Sequence, residues 1–131
     1  MARKRVILTS KGMIPRGPYS QGWIAGDLVV VAAHCSYDRE TGRVIGTTLE
    51  EQFDHIIALV KPVLQEAGCG LQDVVRAGVF LKDMSYYDEY NRCFAKHFPG
   101  PAPARCTVGA GQLPENALIQ MELLAIVPDA A

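Results

Sequence analysis

Arg105 is the residue whose type and position point most directly to chemistry. It follows residues 99–104, PGPAPA, in which three prolines impose an extended approach that excludes helix. A guanidinium keeps its charge and presents a planar set of donors that matches a carboxylate at both oxygens. Arg105 therefore predicts an anchor for a small carboxylic acid. The plainer alternative is a solvated arginine at the end of a strand.

Two polar side chains alternate with apolar neighbours further along the same stretch. Residues 118–123 place Gln120 and Glu122 between apolar residues, which is the pattern of a strand with one polar face. The sequence LPEN at 113–116 indicates a turn before this strand. We interpret the whole region as a hairpin that fixes Arg105 near the polar face of its partner strand.

Two amphipathic helices are predicted to support these residues. TLEE at 48–51 is a capping box, and apolar residues recur at helical spacing behind it as far as Ala67. A second helix is predicted to begin near Ser85. It carries an aromatic stripe that we expect to face the core, formed by Tyr87, Tyr90, Phe94 and Phe98.

About six β-prone runs surround these helices. Residues 19–25 and 28–33 flank Gly26 and Asp27 and predict a tight hairpin. The order strand, strand, strand, helix, strand, helix, strand, strand predicts an α+β fold with one sheet and both helices on one face. The apolar content of residues 29–33 and 118–127 suggests that another subunit covers the other face.

Composition narrows the possible partners and the compartment. Residues 1–131 are predicted to form a single domain, with 49% apolar and 21% charged residues. The net charge of −1 gives no electrostatic indication of nucleic acid or membrane binding. The cysteines lack CxxC spacing and no apolar signal core is visible, so reduced thiols in the cytoplasm are expected. These cysteines are Cys35, Cys69, Cys93 and Cys106.

An ordered set of short motifs resembles the RidA/YjgF/UK114 family over essentially the whole chain. The motifs are GPYSQ at 17–21, GDLV at 26–29, TG at 41–42, EAG at 66–68, VFLKD at 79–83, AR at 104–105 and LP at 113–114. The resemblance implies a chorismate-mutase-like α+β subunit in a homotrimer with a central β-barrel. It also implies ligand clefts between subunits and hydrolysis of reactive enamines or imines to oxo acids and ammonia. It implies no metal and no organic cofactor.

Three residues match family positions in the ligand cleft. By resemblance, Arg105 corresponds to the arginine that binds the substrate carboxylate, Tyr19 to the cleft tyrosine and Asn91 to the asparagine of the second helix. The alternatives from the residues themselves are a packed aromatic for Tyr19 and a helix-surface amide for Asn91.

The third strand departs from the family pattern. The family serine is replaced by Ala32, and the glycine and glutamine that follow it are Ala33 and His34. Strand alternation would place Ala32 and His34 on one face, so His34 is a candidate replacement base near the pocket. The alternative is a strand histidine that serves only the structure.

The last two strands depart from the pattern as well. The family cysteine that lies two residues after the arginine is Thr107, and Cys106 is shifted by one position. The glutamate associated with the water is Gln120, which can orient a water but cannot take its proton. Glu122 matches a second family glutamate on the same strand face.

The replaced residues leave more than one function open. The favoured prediction is cofactor-free deamination of 2-imino acids or a related aminomuconate-like intermediate. The alternatives are a non-catalytic carboxylate-binding or chaperone-like trimer, favoured by Gln120 and Ala32, and a related tautomerase. The endoribonuclease activity known in the family has no basic groove to support it here. Cys93 and His97 are four residues apart, but they lack further metal ligands.

Overall fold

The computed structural model describes residues 3–129, which form six strands and two helices in the predicted order. The second strand begins three residues later than predicted, because residues 19–21 belong to the preceding loop. In chain order the elements are β1 (Lys4–Ile7), β2 (Gly22–Ala25), β3 (Leu28–His34), α1 (Leu49–Glu66), β4 (Val74–Leu81), α2 (Tyr87–His97), β5 (Ala104–Gly109) and β6 (Ile119–Ile126).

All six strands form one mixed sheet in the order β1-β2-β3-β6-β4-β5. β4 and β5 pair in parallel, and every other neighbouring pair is antiparallel. The predicted hairpin of residues 99–126 is therefore wrong, because β4 lies between β5 and β6. The physical reason is α2, which carries the chain from β4 to β5 as the crossover that a parallel pair requires.

Both helices pack on one face of the sheet, which confirms the predicted α+β architecture. Alternate residues of the central strands point into this layer, including Val31, Val79, Met121 and Leu123, which are at most 1% exposed. Phe53 and Ile57 of α1 and Phe94 of α2 meet them there. Burial of these apolar side chains is the main favourable contribution to folding.

α1 begins and ends where the local sequence predicts, whereas α2 begins at Tyr87, two residues after the predicted start at Ser85. Thr48 is the N-cap of α1, and its hydroxyl accepts a hydrogen bond of 3.1 Å from the backbone N–H of Glu51. The Glu51 carboxylate accepts from the Thr48 hydroxyl at 3.0 Å. Gly68 follows α1 with a φ of 74°, a conformation that glycine adopts without a steric penalty. A short 3-10 turn capped by Asp83 precedes α2.

The opposite face of the sheet, called the open face below, carries no helix within residues 3–129. Its side chains are largely apolar and partly exposed, as the strand registers place them together. Exposed large apolar residues on this face are Trp23, Val30, Val108 and Ile126. No helix within residues 3–129 is both long and apolar enough to cross a bilayer.

Candidate substrate site

Arg105 lies on the helix side of β5, the edge strand, and its side chain crosses the aromatic stripe of α2. Its guanidinium carbon is 4.7 Å from the ring centre of Tyr90 and 4.9 Å from that of Phe94. One guanidinium nitrogen donates a long hydrogen bond of 3.4 Å to the hydroxyl of Tyr87. Aromatic faces attract the cation, so this aromatic cage fixes the head group without neutralising it.

The donors of Arg105 remain available to a ligand. Among residues 3–129, no carboxylate lies within 4.0 Å of this guanidinium, and the residue is exposed. A charged and unneutralised fork on a rigid support suits the two oxygens of a carboxylate.

A cleft of about 430 Å³ opens beside the guanidinium, between α2 and the proline-rich approach to β5. This Arg105 cleft is lined by Asn91, Phe94, Ala95, Phe98, Pro99, Gly100, Ala102 and Arg105. Asn91 and Arg105 supply its polar side chains, and the remaining side chains are apolar. Arg105 and Asn91, which the family resemblance placed in one site, therefore line the same cleft.

Thr107 supports the cage instead of lining the cleft. Its hydroxyl and the Tyr90 hydroxyl are 2.9 Å apart, and alternation along β5 puts Thr107 on the same side as Arg105. Burial raises the pKa of Tyr90, so the phenol stays protonated and can take part in this hydrogen bond. Cys106, between the two, points to the open face and is exposed.

Gln120 and Glu122 lie on the open face, opposite to Arg105. Strand register places Gln120 beside Phe80, and Glu122 beside Gly78 and then Cys106. A Cβ at Gly78 would lie 2.9 Å from Oε1 of Glu122, so a side chain at this position would displace the Glu122 carboxylate. The absence of a side chain at this position leaves room for the Glu122 carboxylate to lie across β4.

A short polar chain runs behind Gln120. Its Oε1 accepts a weak hydrogen bond of 3.6 Å from Sγ of Cys35. Burial raises the pKa of the Cys35 thiol to about 11, so the thiol is protonated and can donate. Burial, with Cys35 and Tyr19 nearby, raises the pKa of the Tyr37 phenol to about 12.

Gln21 holds the loop that carries Tyr19. Its side-chain amide is 3% exposed, donates to the carbonyls of Thr9 and Met13 at 3.0 and 2.6 Å, and accepts from the N–H of Thr9 at 2.7 Å. The Tyr19 side chain itself is 43% exposed, and its hydroxyl accepts from the N–H of Arg16. The tyrosine is thus presented to solvent by an anchored loop.

His34 does not share a face of the sheet with Ala32, contrary to the prediction from alternation. The pairing of β3 with β6 is irregular between Val31 and His34, so that His34 lies opposite Met121 on the helix side, whereas Ala32 remains on the open face. The His34 side chain is 0% exposed, with Nδ1 2.6 Å from the carbonyl oxygen of Ala32. Burial lowers the pKa of His34 to about 4, which leaves the ring neutral near pH 7.

His34 is also remote from Arg105. His34 pairs with Met121, which pairs with Val79, which pairs with Thr107 on the strand of Arg105. Three strand spacings of about 4.8 Å therefore separate His34 from Thr107, a distance of about 14 Å. A buried neutral ring at this distance does not serve as an accessible base for a ligand on Arg105.

Several residues of the site were missed or misjudged from the sequence. Tyr87 and Tyr90 were both predicted to face the core; this is confirmed for Tyr90, which is 0% exposed, but wrong for Tyr87, which is 37% exposed. The contact of both rings with the guanidinium was missed. The signal available in the sequence was the i, i+3 spacing of the two tyrosines on the helix that precedes β5, the strand that carries Arg105. Cys35 had no such signal, because only the folded chain brings its thiol to Gln120.

Metal binding gains no support from the residues described. No group of three or more His, Cys, Asp or Glu side chains among residues 3–129 lies close enough to hold a metal ion. Nε2 of His97 instead lies 2.6 Å from Oδ1 of Asp54, and Cys93 is buried.

Comparison with known proteins shows consistent similarity along the chain. Residues 9–127 match the family model described as endoribonuclease L-PSP. A RutC family protein of Saccharolobus solfataricus is 39% identical over 122 residues, which are 93% of this chain and 97% of that protein. A putative endoribonuclease of Thermotoga maritima superimposes with a TM-score of 0.88 at 33% identity, over 95% of this chain and 98% of that one.

Two further relatives carry names that describe an activity. The chloroplastic Reactive Intermediate Deaminase A of Arabidopsis thaliana is 32% identical over 94% of this chain and 66% of its own length. A 2-iminobutanoate/2-iminopropanoate deaminase of Dermatophagoides farinae is 28% identical over 97% of this chain and 99% of its own length.

Proposed function

The chain belongs to the RidA/YjgF/UK114 family, described as endoribonuclease L-PSP, and from that premise we propose that it is a deaminase of small 2-imino and 2-enamino carboxylates. The reaction adds water to the C=N bond and releases a 2-oxo acid and ammonia, in a cleft between subunits of a homotrimer. The observation that carries the proposal is the Arg105 guanidinium, which is held on an aromatic cage beside a cleft, with no carboxylate within 4.0 Å among residues 3–129.

Arg105 performs the first task, which is to hold the substrate. Two charge-assisted hydrogen bonds to the carboxylate fix both the position and the plane of the group that adjoins the reacting carbon. The aromatic cage restricts the guanidinium before the ligand arrives, so less side-chain freedom is lost on binding. Asn91 lies in the same cleft and can hydrogen-bond a polar atom of the substrate.

The second task, water addition, falls to the open face in this proposal. Gln120 orients the water, and Glu122, two residues further on the same strand face, accepts a proton from it. The water oxygen bonds to the imine carbon while the C=N electron pair moves to nitrogen, which is protonated. The resulting carbinolamine loses ammonia as its hydroxyl proton leaves, and the C=O bond of the oxo acid forms.

The need for more than one copy follows from where the two groups lie. Arg105 is on the helix side of the edge strand, whereas Gln120 and Glu122 are on the open face. One chain cannot direct both groups at a single small molecule through its own sheet. The exposed apolar residues of the open face support association, which would place one copy's open-face groups beside another copy's Arg105.

A carboxylate-binding trimer without catalysis is the second candidate. It is favoured by Gln120, which replaces a family glutamate and whose oxygen is already engaged by the Cys35 thiol. Such a protein would keep the Arg105 anchor and bind 2-oxo acids without turnover. A tautomerase would share the protonation half of the deaminase reaction.

Turnover of freshly generated imines separates these candidates. A dehydratase supplies 2-aminoacrylate, an amino-acid oxidase supplies other 2-imino acids, and semicarbazide traps whatever imine is not hydrolysed. We expect the protein to suppress semicarbazone formation and to speed release of the oxo acid. If no imino acid reacts faster while 2-oxo acids still bind, the non-catalytic binder is the better description.

Arg105→Ala provides the residue-level test. Loss of two charge-assisted hydrogen bonds, worth about 3 to 6 kcal/mol together, predicts a drop in kcat/KM of about a thousandfold. Arg92→Ala is the matched control, since Arg92 is an exposed arginine of α2 that does not line the Arg105 cleft. Equal activity of the two variants would remove Arg105 from the mechanism.

A further inference from the structure

We propose that the Arg105 cleft is a side-chain subsite, and that the preferred substrates are 2-imino acids with a branched or aromatic apolar side chain. This inference rests on the proposed deaminase function and names the substrate class of the same site.

The floor of the cleft is apolar and rigid. Phe94 and Phe98 stack with ring centres 4.5 Å apart and an angle of 26° between their planes. Both side chains also belong to the hydrophobic core, with 3% and 6% exposure, so the floor does not collapse into an empty cleft. An apolar group that enters the cleft removes water chiefly from the exposed apolar walls at Ala95, Pro99 and Ala102, which favours binding.

The walls are formed by small side chains, which is why the cleft has space. Ala95 of α2 and Ala102 of the proline-rich approach are both exposed and contribute only a methyl group each. Gly100 turns the chain between them with a φ of 87°. The volume of about 430 Å³ lies within the range of about 300 to 1,000 Å³ used by pockets for organic ligands. A methyl side chain leaves most of this space unused.

The polar groups are positioned for one end of the ligand. Arg105 and Asn91 are the polar side chains of the lining, and the side chains of Phe94, Ala95, Phe98, Pro99 and Ala102 offer no hydrogen-bonding group. A carboxylate held by Arg105 therefore has an apolar surface adjacent to its α-substituent. A polar substituent would lose water there with little compensation, so the cleft also selects against polar side chains.

The test compares imines that differ only in their side chain. An amino-acid oxidase generates the imines of phenylalanine, leucine and alanine in the presence of the protein. We expect kcat/KM for the phenylalanine and leucine imines to exceed that of the alanine imine by about tenfold or more, the range that added apolar groups provide in a complementary pocket. Equal kcat/KM values for the three imines would overturn the subsite.

Filling the cleft sharpens the test. Ala95→Leu, and separately Ala102→Leu, should lower the ratio of kcat/KM for the phenylalanine imine to kcat/KM for the alanine imine by about tenfold or more. Ala58→Leu is the matched control, because Ala58 is an exposed alanine of α1 that does not line the cleft. Equal losses for bulky and small imines in the cleft variants would contradict the inference.

A binding measurement separates failure of the subsite from failure of the proposed function. Calorimetry compares phenylpyruvate with pyruvate, which are stable products of the two reactions. If no imine is turned over, the deaminase proposal fails; tighter binding of phenylpyruvate by about tenfold, lost in Ala95→Leu, would still support the subsite. Equal binding of the two oxo acids would overturn it.

Discussion

The Arg105 cleft and the open face differ in how complete they are within one chain. The cleft is preformed, since its guanidinium rests on the rings of Tyr90 and Phe94 and its floor is part of the core. On the open face, Gln120 and Glu122 lie among partly exposed apolar residues, with no second wall in the described chain. The contrast suggests that a single chain can bind a carboxylate but needs another copy for chemistry.

Disrupting the open face should have the largest effect. Val30→Asp puts a charge on a surface that we propose is buried between copies. Burying an unpaired charge costs about 3 to 5 kcal/mol, so association should weaken about a hundred- to thousandfold, and turnover should fall with it. Sedimentation and the imine assay measure the two effects.

Ile45→Asp is the control for this substitution, because Ile45 and Val30 are 37% and 38% exposed but Ile45 lies in the loop before α1. A Val30→Asp variant that is monomeric yet fully active would contradict the proposed need for a second copy, since one chain would then contain the whole site.

Removing the carboxylate of the open face should separate chemistry from binding. Glu122→Gln keeps the size of the side chain but cannot accept a proton from water, so kcat should fall about a hundredfold or more. Binding of a 2-oxo acid, measured by calorimetry, should be unchanged because Arg105 is intact. A matching loss of affinity would show that Glu122 contributes to the binding region and not only to catalysis.

The buried side chain of His34 should make the fold sensitive to acid. The pKa of His34 is about 4 when folded and 6.5 as its ordinary value, so folding favours the neutral ring. The contribution of the neutral ring to the free energy of unfolding is fully present above pH 6.5 and is lost as the pH falls through about 4. The difference of the two pKa values corresponds to about 3 kcal/mol of unfolding free energy.

His34→Gln should reduce this acid loss in urea titrations at pH 7 and pH 4. The carboxylates titrate in both proteins, so the difference between the two pH profiles isolates the histidine. Identical profiles would mean that His34 is accessible to protons without unfolding.

A change in the aromatic cage should have the smallest effect. Tyr87→Phe removes one hydrogen bond of 3.4 Å on an exposed residue, which is worth about 0.5 to 1 kcal/mol. KM should therefore rise about two- to fivefold while kcat is retained. Tyr86→Phe is the matched control on the neighbouring residue. A large fall in kcat for Tyr87→Phe would place its hydroxyl on the reacting atoms instead.

Much of the fold was accessible from local patterns. The N-cap at Thr48, the tight turn at Gly26 and the buried aromatic residues Phe94 and Phe98 all follow from signals within a few residues. The order of strands and helices was predicted correctly for the same reason. The hairpin of residues 99–126 was wrong because alternation identifies a strand but not its neighbour.

For the candidate site as well, the sequence identified residues but not the faces of the sheet on which they lie. Arg105 and Asn91 were identified from residue type and family resemblance, and they do share a cleft. The orientation of His34 was not predictable, because an irregularity in the pairing of β3 with β6 reverses the expected alternation. The position of Gln120 on the face opposite to Arg105 depended on which strand lies beside which.

The sequence by itself determined the identity of the elements, the presence of one permanent cation on a stiff strand, and the replacement of the family serine and glutamate by Ala32 and Gln120. These features are properties of single residues or of neighbours in the chain. Only the tertiary structure decided that β5 pairs with β4, that the aromatic stripe of α2 supports Arg105, and that the two functional groups lie on opposite faces. Such choices depend on contacts between residues far apart in sequence, which local spacing does not encode.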